Sequence, residues 1–159
     1  MKIIKRFLIG ILCLPVVLVL LFIAYEIMGM IVNHIATGRQ TDKLEKLICE
    51  QISDAEILDT YSETGNTSGT GNHVDMLSII VVRTSEDLNT IKDKLKEFDV
   101  EEDEYDFWIE TMESVESARQ EDDYRYSFCD ALELPDDRKN CYMLYKNDSA
   151  PFTDNIEGH

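Results

Sequence analysis

Basic side chains are scarce beyond residue 40 of this 159-residue sequence. The whole chain carries 15 lysines and arginines against 32 aspartates and glutamates, a net charge of −17. Residues 1–40 are net positive, so residues 41–159 hold 11 basic and 31 acidic residues, a net charge of −20. Such a surface repels polyanions and attracts cations or basic partners. The charge therefore excludes nucleic acid as a partner.

The motifs that commonly carry catalysis or cofactor binding are missing as well. A phosphate-binding loop needs a lysine after its last glycine, but Gly71 is followed by Asn72 and His73. A dinucleotide fingerprint should open a helix, whereas a strand pattern follows here. No C-x-x-C pair occurs, so neither a zinc knuckle nor a thioredoxin-type site is indicated. We therefore expect no catalysis and no cofactor.

A long apolar run is present near the amino terminus. Residues 7–25, FLIGILCLPVVLVLLFIAY, would form a helix of about 28 Å, close to the thickness of a bilayer core. A cleaved secretory signal is the alternative, but it needs small residues at its cleavage site. Ala24 and Ala36 each have a large residue two positions before them. The run therefore predicts a retained transmembrane helix, extended at the interface to residue 32.

Charged residues around this run indicate its orientation. Lys2, Lys5 and Arg6 crowd the side before it, whereas the basic residues that follow begin only at Arg39. Basic flanks stay in the cytoplasm, so the amino terminus is expected inside and the acidic domain outside the cell membrane. The predicted parts are a cytoplasmic tail (1–6), a transmembrane helix (7–32), a linker (33–40) and an acidic extracytoplasmic domain (41–159).

Hydrophobic periodicity predicts the elements of the acidic domain. We expect helices over residues 41–52, 86–98 and 107–120, with Thr84 and Ser85 offering capping hydroxyls to the second. Residues 55–64 and 74–82 predict one β-hairpin. YRYSF (124–128) with CYMLYK (141–146) predicts another, with a prolonged preceding helix as the alternative for residues 124–128. Together these give an α+β fold: a transmembrane helix followed by a small two-layer domain, with an antiparallel sheet of three or four strands and helices on one face.

The uncharged stretch TGNTSGTGNHV, residues 64–74, is the first candidate binding site. It predicts a nine-residue hairpin connection, longer than usual, and long connections are often functional. The alternative is an elaborate turn with no ligand. His73 and Asp75 would point to one face of a strand, but two ligands do not make a metal site. The candidate contact groups are Asn66, Thr67, Ser68, Thr70, Asn72 and His73.

An acidic run between residues 99 and 110 resembles part of a calcium-binding loop. Asp99, Glu101, Asp103 and Glu110 occupy positions 1, 3, 5 and 12 of an EF-hand loop. The sixth position should be glycine and is Glu104. We therefore expect only loose association of divalent cations with a solvated acidic surface.

Four cysteines are present, of which Cys13 belongs to the predicted span. An exported domain with the other three is expected to hold one disulfide and one free thiol. The turn signal at LPDD lies between Cys129 and Cys141, so we predict that these two pair and Cys49 stays free.

Three functional hypotheses remain. The leading one is a single-pass membrane protein that displays an acidic binding or interaction domain outside the membrane. The alternative is an acidic inhibitor or immunity-type protein that blocks a basic toxin or enzyme. An enzyme of unknown class comes last, because nucleophile, metal and cofactor motifs are lacking.

Overall fold

The computed structural model describes residues 2–67, 69, 71–98, 107–120 and 124–158. It contains three α-helices and four β-strands within these ranges, together with short 3₁₀ helices. In chain order these elements are α1 (Lys2–Gln51), β1 (Glu56–Gly65), β2 (Asp75–Arg83), α2 (Leu88–Leu95) with a 3₁₀ turn (Lys96–Phe98), β3 (Phe107–Thr111), α3 (Met112–Gln120), a 3₁₀ helix (Tyr124–Ala131), β4 (Cys141–Ser149) and a 3₁₀ turn (Ile156–Gly158).

The first helix is unbroken for 50 residues, about 75 Å. Its first half contains a candidate membrane-spanning segment by length and apolar composition. Its second half packs on the sheet. Residues 33–40, which we expected to link the span to the domain, are helical, and Asn33, Thr37 and Gln40 are buried. Contacts with the folded domain stabilise this stretch, which its local composition does not reveal.

The four strands form one antiparallel sheet in the order β1-β2-β4-β3. The first predicted hairpin is confirmed, since β1 pairs with β2. The second is wrong: β4 lies between β2 and β3 and pairs with both. Residues 124–128 form a 3₁₀ helix instead of a strand, and Phe128 packs edge-on against Tyr145 of β4.

Helices cover both faces of the sheet. Ile80 and Val82 of β2 pack with α1 and α2 on one face. Ile79 and Val81 pack with α3 and the 3₁₀ helix on the other. The α+β class with a four-stranded antiparallel sheet is confirmed. Both faces need cover rather than one because β2 and β4 are apolar on both sides, as central strands are.

The predicted helix over residues 107–120 begins five residues late. Phe107–Thr111 form strand β3, and α3 starts at Met112. Trp108 stacks on Tyr145 with ring centroids 4.6 Å apart, while Ile109 packs on the opposite face. Pairing with β4 therefore overrides a local pattern that suits a helix.

Asp87, rather than Thr84 or Ser85, caps α2, because its side chain accepts from the backbone N–H groups of residues 89 and 90. Thr84 and Ser85 hydrogen-bond Asp54 instead, the latter through its backbone N–H at 2.8 Å. Hydrogen bonds from Ser85 and Thr84 lower the pKa of Asp54 to about 2. Asp54 thus ties the turn after α1 to the segment before α2.

The hydrogen bonds to Asp54 make the free energy of unfolding depend on pH. Because the folded pKa of Asp54 lies below its ordinary 3.8, its stabilising contribution is present above about pH 4 and lost as the pH falls towards 2. Asp54→Asn is expected to lower the free energy of unfolding near neutral pH, with the difference from wild type vanishing near pH 2. Urea unfolding in detergent micelles across pH measures this. The control is Asp42→Asn, at an exposed position on α1. A difference that persists unchanged to pH 2 contradicts the prediction.

Candidate functional site

A cleft of about 420 Å³ lies between the second half of α1 and the sheet. We call it the α1 cleft. Its walls come from α1, from β2 and β4, and from Phe98 and Phe107, which end one described segment and begin the next. Small-molecule sites commonly occupy about 300–1,000 Å³, so this volume fits a small ligand.

Helical spacing explains which side chains of α1 form the cleft. Residues four apart share a face, so Ala36, Gln40 and Leu44 form one row towards the sheet. Gln40 and Leu44 are buried. A neighbouring row holds Arg39 and Lys43, both exposed. The cleft therefore has an apolar floor and a basic rim along one helix.

Buried hydroxyls fix the position of α1 on the sheet beside the cleft. Thr41 shares a hydrogen bond of 2.8 Å with Ser78 of β2, and both side chains are buried. Thr37 shares one of 2.7 Å with Thr64 of β1. Thr37 and Thr41 also donate to helix carbonyls one turn earlier, a common arrangement for hydroxyls within helices. These bonds set the register of α1 against the strands.

Gln40 is the central polar residue of the cleft wall. Its Nε2 donates to the carbonyl oxygens of Met76 (3.2 Å) and Lys146 (3.0 Å), joining α1 to β2 and β4. Its Oε1 is buried and has no hydrogen-bond partner within the described chain. An unsatisfied buried acceptor costs about 1–3 kcal/mol, so the site favours a donor at this position.

The charge of the cleft is opposite to that of the domain. Arg39, Lys43 and Lys146 contribute three positive charges, and Asp148 contributes one negative charge. Lys146 pairs with Asp148 at 3.3 Å. Arg39 and Lys43 form no ion pair in the portion of the chain that the structure describes. The lining is thus net positive within a domain of charge −20.

The loop predicted as a binding site is largely engaged in internal bonds. Its nine residues, 66–74, join β1 to β2 as expected. Asn66 donates to the carbonyl of Gly71, and Thr67 donates to Asn147 on β4 at 3.1 Å. Asn72 is exposed, and Ser68 and Thr70 lie outside the described residues. The bonding favours the alternative interpretation, an elaborate turn.

The carboxyl-terminal segment covers the end of this loop. Val74 donates its backbone N–H to Thr153 and accepts from Ala150. A Cβ on Gly158 would lie 2.7 Å from the backbone of His73, so only glycine fits there. His73 itself pairs with Asp75 through Nε2 and Oδ1 at 2.8 Å. The described residues contain no group of three or more metal-binding side chains.

Two further predictions concern the calcium-like run and the cysteines. Asp99, Glu101 and Asp103 lie outside the described residues, and Glu110 lies on β3, where it accepts a hydrogen bond from Ser114. The predicted disulfide is not formed: Cys129 and Cys141 are free thiols.

The two buried thiols, Cys129 and Cys141, differ in their contacts. Both belong to the core cluster on the α3 face of the sheet. The Cys141 thiol donates to the carbonyls of Asp137 and Lys139 in its own turn. Burial raises the pKa of Cys129 to about 11. The turn signal at LPDD therefore serves chain reversal without bringing the two sulfur atoms into a bond.

Sequence reasoning missed the α1 cleft because its walls are distant in the chain. The signal that could have indicated it is the pair Arg39 and Lys43, four residues apart and just past the apolar run, followed by Leu44 and Leu47. Comparisons with known proteins found no matching family model, no matching curated protein and no matching solved structure.

Proposed function

We propose that this chain is a single-pass membrane protein that displays an acidic binding domain on the outer side of the membrane. Residues 7–25 cross the bilayer with the amino terminus in the cytoplasm, residues 26–32 extend the helix at the interface, and residues 41–159 bind a partner or ligand without catalysis. The observation that carries the proposal is the two-part character of α1. One half exposes apolar side chains, and the other half is built into the folded domain.

The exposed half of α1 has the composition of a lipid-facing helix. Leu18, Val19 and Leu20 follow one another at about 100° per residue around the axis, so they point in different directions, and each is more than half exposed. A helix on the surface of a water-soluble protein shows one apolar face and one polar face. Apolar exposure on all sides is removed from water by insertion into lipid.

The carboxyl-terminal segment holds α1 where it leaves the proposed span. Asn33 binds the backbone of Phe152 twice, donating to its oxygen at 3.0 Å and accepting from its N–H at 2.9 Å. Glu26 accepts from the backbone N–H of Ile156 at 2.9 Å, and its carbonyl accepts from Asn155 at 2.8 Å. The domain therefore sits close to the membrane surface in a set orientation.

This packing also gives Glu26 a role at the membrane boundary. Its carboxylate accepts from the backbone N–H of Ile156, the first residue of the turn Ile156–Gly158, and so caps that turn. Gly29 allows the close approach, since a Cβ there would clash with Asn155 Nδ2. The binding site that the domain offers is the α1 cleft, which begins about 6 Å beyond residue 32 along the helix.

Cysteine labelling tests the topology. Cys49 is exposed on α1, whereas Cys129 and Cys141 are buried. A membrane-impermeant maleimide applied to intact cells is expected to label the protein chiefly at Cys49. Cys49→Ser is expected to remove most of the label, because burial and a pKa of about 11 protect the thiol of Cys129.

The matched control is Cys13→Ser, which changes the proposed span and should leave labelling unchanged. Labelling that appears only after the cells are lysed would reverse the proposed orientation. Recovery of the protein in the soluble fraction, without its first 30 or so residues, would show a cleaved signal instead of an anchor.

A further inference from the structure

We propose that the α1 cleft binds a small amphiphile that has one anionic head, a carboxylate or a phosphate, and a single apolar chain. The inference rests on the proposed function, which places the cleft next to the outer surface of the membrane. It goes further by naming the chemistry of the ligand.

The anionic head follows from the unpaired basic rim. Arg39 and Lys43 are one helical turn apart, and like charges at this spacing repel each other. Neither has an ion-pair partner among the described residues, although the domain has a large excess of carboxylates. Lys146 lies on the opposite wall. An anion beside Arg39 and Lys43 relieves their repulsion and meets two unpaired cationic donors, while Lys146 stays paired with Asp148.

The acidity of the domain does not prevent this binding. Exposed charges are screened beyond a Debye length of about 8 Å at physiological salt. An anion within the cleft therefore responds mainly to the side chains that line it, whose charges sum to a positive value. The more distant carboxylates select against large polyanions, which would extend beyond the cleft.

The apolar chain follows from the remaining walls. Leu44, Leu47, Met76, Phe98 and Phe107 line the cleft alongside the basic residues. Phe98 is a large apolar side chain with 40% of its surface exposed. A free anion such as inorganic phosphate would leave this surface in water, whereas an apolar chain covers it. A volume of 420 Å³ lies near the lower end of the range for ligand sites, which favours one chain over two.

The buried acceptor on Gln40 adds a third feature. The two strand carbonyls hold its Nε2, so the amide orientation is determined and Oε1 is left without a partner within the described chain. A hydroxyl, or a protonated phosphate oxygen, in the head of the ligand can donate to it directly or through a bound water.

Calorimetric titration tests the proposal on the full-length protein in phosphatidylcholine nanodiscs. The probes are octyl phosphate and octanoate. Two partial ligands are compared with them: octanol, which lacks the charge, and inorganic phosphate, which lacks the apolar chain. Arg39→Glu/Lys43→Glu is expected to weaken octyl phosphate binding about tenfold or more. Lys46→Glu/Lys92→Glu is the control, because it alters net charge equally at exposed residues outside the cleft.

A second variant examines the apolar wall. Phe98→Ala is expected to weaken octyl phosphate binding and to leave the weak binding of inorganic phosphate unchanged. The proposal is overturned if octanol binds as tightly as octyl phosphate, or if inorganic phosphate does. It is also overturned if the charge reversal in the cleft and its control behave alike.

The source of the ligand is settled by competition. Nanodiscs that contain lysophosphatidic acid supply the same chemistry from the membrane. Loss of octyl phosphate binding in these discs identifies the membrane as the source of the ligand. Undiminished binding identifies a free amphiphile from solution. Both results support the proposal, provided that discs without lysophosphatidic acid bind octyl phosphate. Failure of all probes, with Cys49 labelled from outside, would refute the ligand class and leave the proposed anchoring intact.

Discussion

Replacement of Ile48 with alanine is expected to lower the free energy of unfolding of the domain by about 2–5 kcal/mol. Ile48 is fully buried between α1 and the sheet, in the cluster that contains Ile80, Ile91 and Leu144. The smaller side chain leaves a cavity where three elements meet. Small domains are stable by about 5–15 kcal/mol in total, so the loss is large.

Urea unfolding of the full-length chain in detergent micelles measures this loss. The fluorescence of Trp108, the only tryptophan, reports on the opposite face of the sheet, where it stacks on Tyr145. Glu45→Ala is the control, at an exposed position of the same helix. Equal unfolding midpoints for the two variants would mean that α1 does not contribute to the core.

The second large effect is expected at Asn33, where α1 meets the carboxyl-terminal segment. Asn33→Leu keeps a similar size but removes both hydrogen bonds to the backbone of Phe152. Asn33 is fully buried, and its hydrogen bonds to Phe152 are partly buried. In the variant, the backbone N–H and the carbonyl of Phe152 therefore lose the partner that the asparagine side chain provides. We expect a loss of about 1–3 kcal/mol, concentrated in residues 151–158.

Hydrogen exchange at the Phe152 amide measures this local effect and should become faster in the variant. The edge-to-face contact of Tyr25 with Phe152 should weaken at the same time, because the same segment carries it. Asn72→Ala, at an exposed asparagine in the loop, is the control and should leave exchange unchanged. Unaltered exchange in Asn33→Leu would show that the segment is held by other contacts.

Local patterns in the sequence were sufficient for the elements whose signals agree with their tertiary surroundings. The apolar run predicted the exposed half of α1, and the spacing of Leu44, Ile48 and Ile52 predicted the buried face of its second half. Strands β1 and β2 were predicted as a hairpin because a turn composition separates two β-forming runs. Strand β4 was predicted from its alternating aromatic and apolar residues.

The differences between the expected and the observed structure share a physical cause. Residues 107–111 have helical spacing, yet they pair with β4, and long-range hydrogen bonds override a weak local preference. Residues 33–40 have few apolar residues, yet Asn33, Thr37 and Gln40 are buried through hydrogen bonds to distant strands and to the tail. Burial of polar residues depends on partners that local periodicity does not show.

The two candidate sites, the loop and the α1 cleft, also differ in how far the sequence predicts them. The nine-residue loop was visible in the sequence because glycine and asparagine mark a turn, but its internal bonds became visible only in the fold. The α1 cleft brings Arg39 and Lys43 next to Lys146 and Phe107, residues more than 60 positions apart. These residues lie close together because the strands are arranged in the order β1-β2-β4-β3.

The sequence by itself determined the candidate membrane segment, the acidity of the domain and the α+β class, because apolar length, net charge and periodicity are sums over neighbouring residues. Only the tertiary structure decided that α1 continues into the core, that helices cover both faces of the sheet, that Cys129 and Cys141 are free thiols and that a basic cleft exists. Each of these depends on contacts between residues far apart in the chain, which no local pattern encodes.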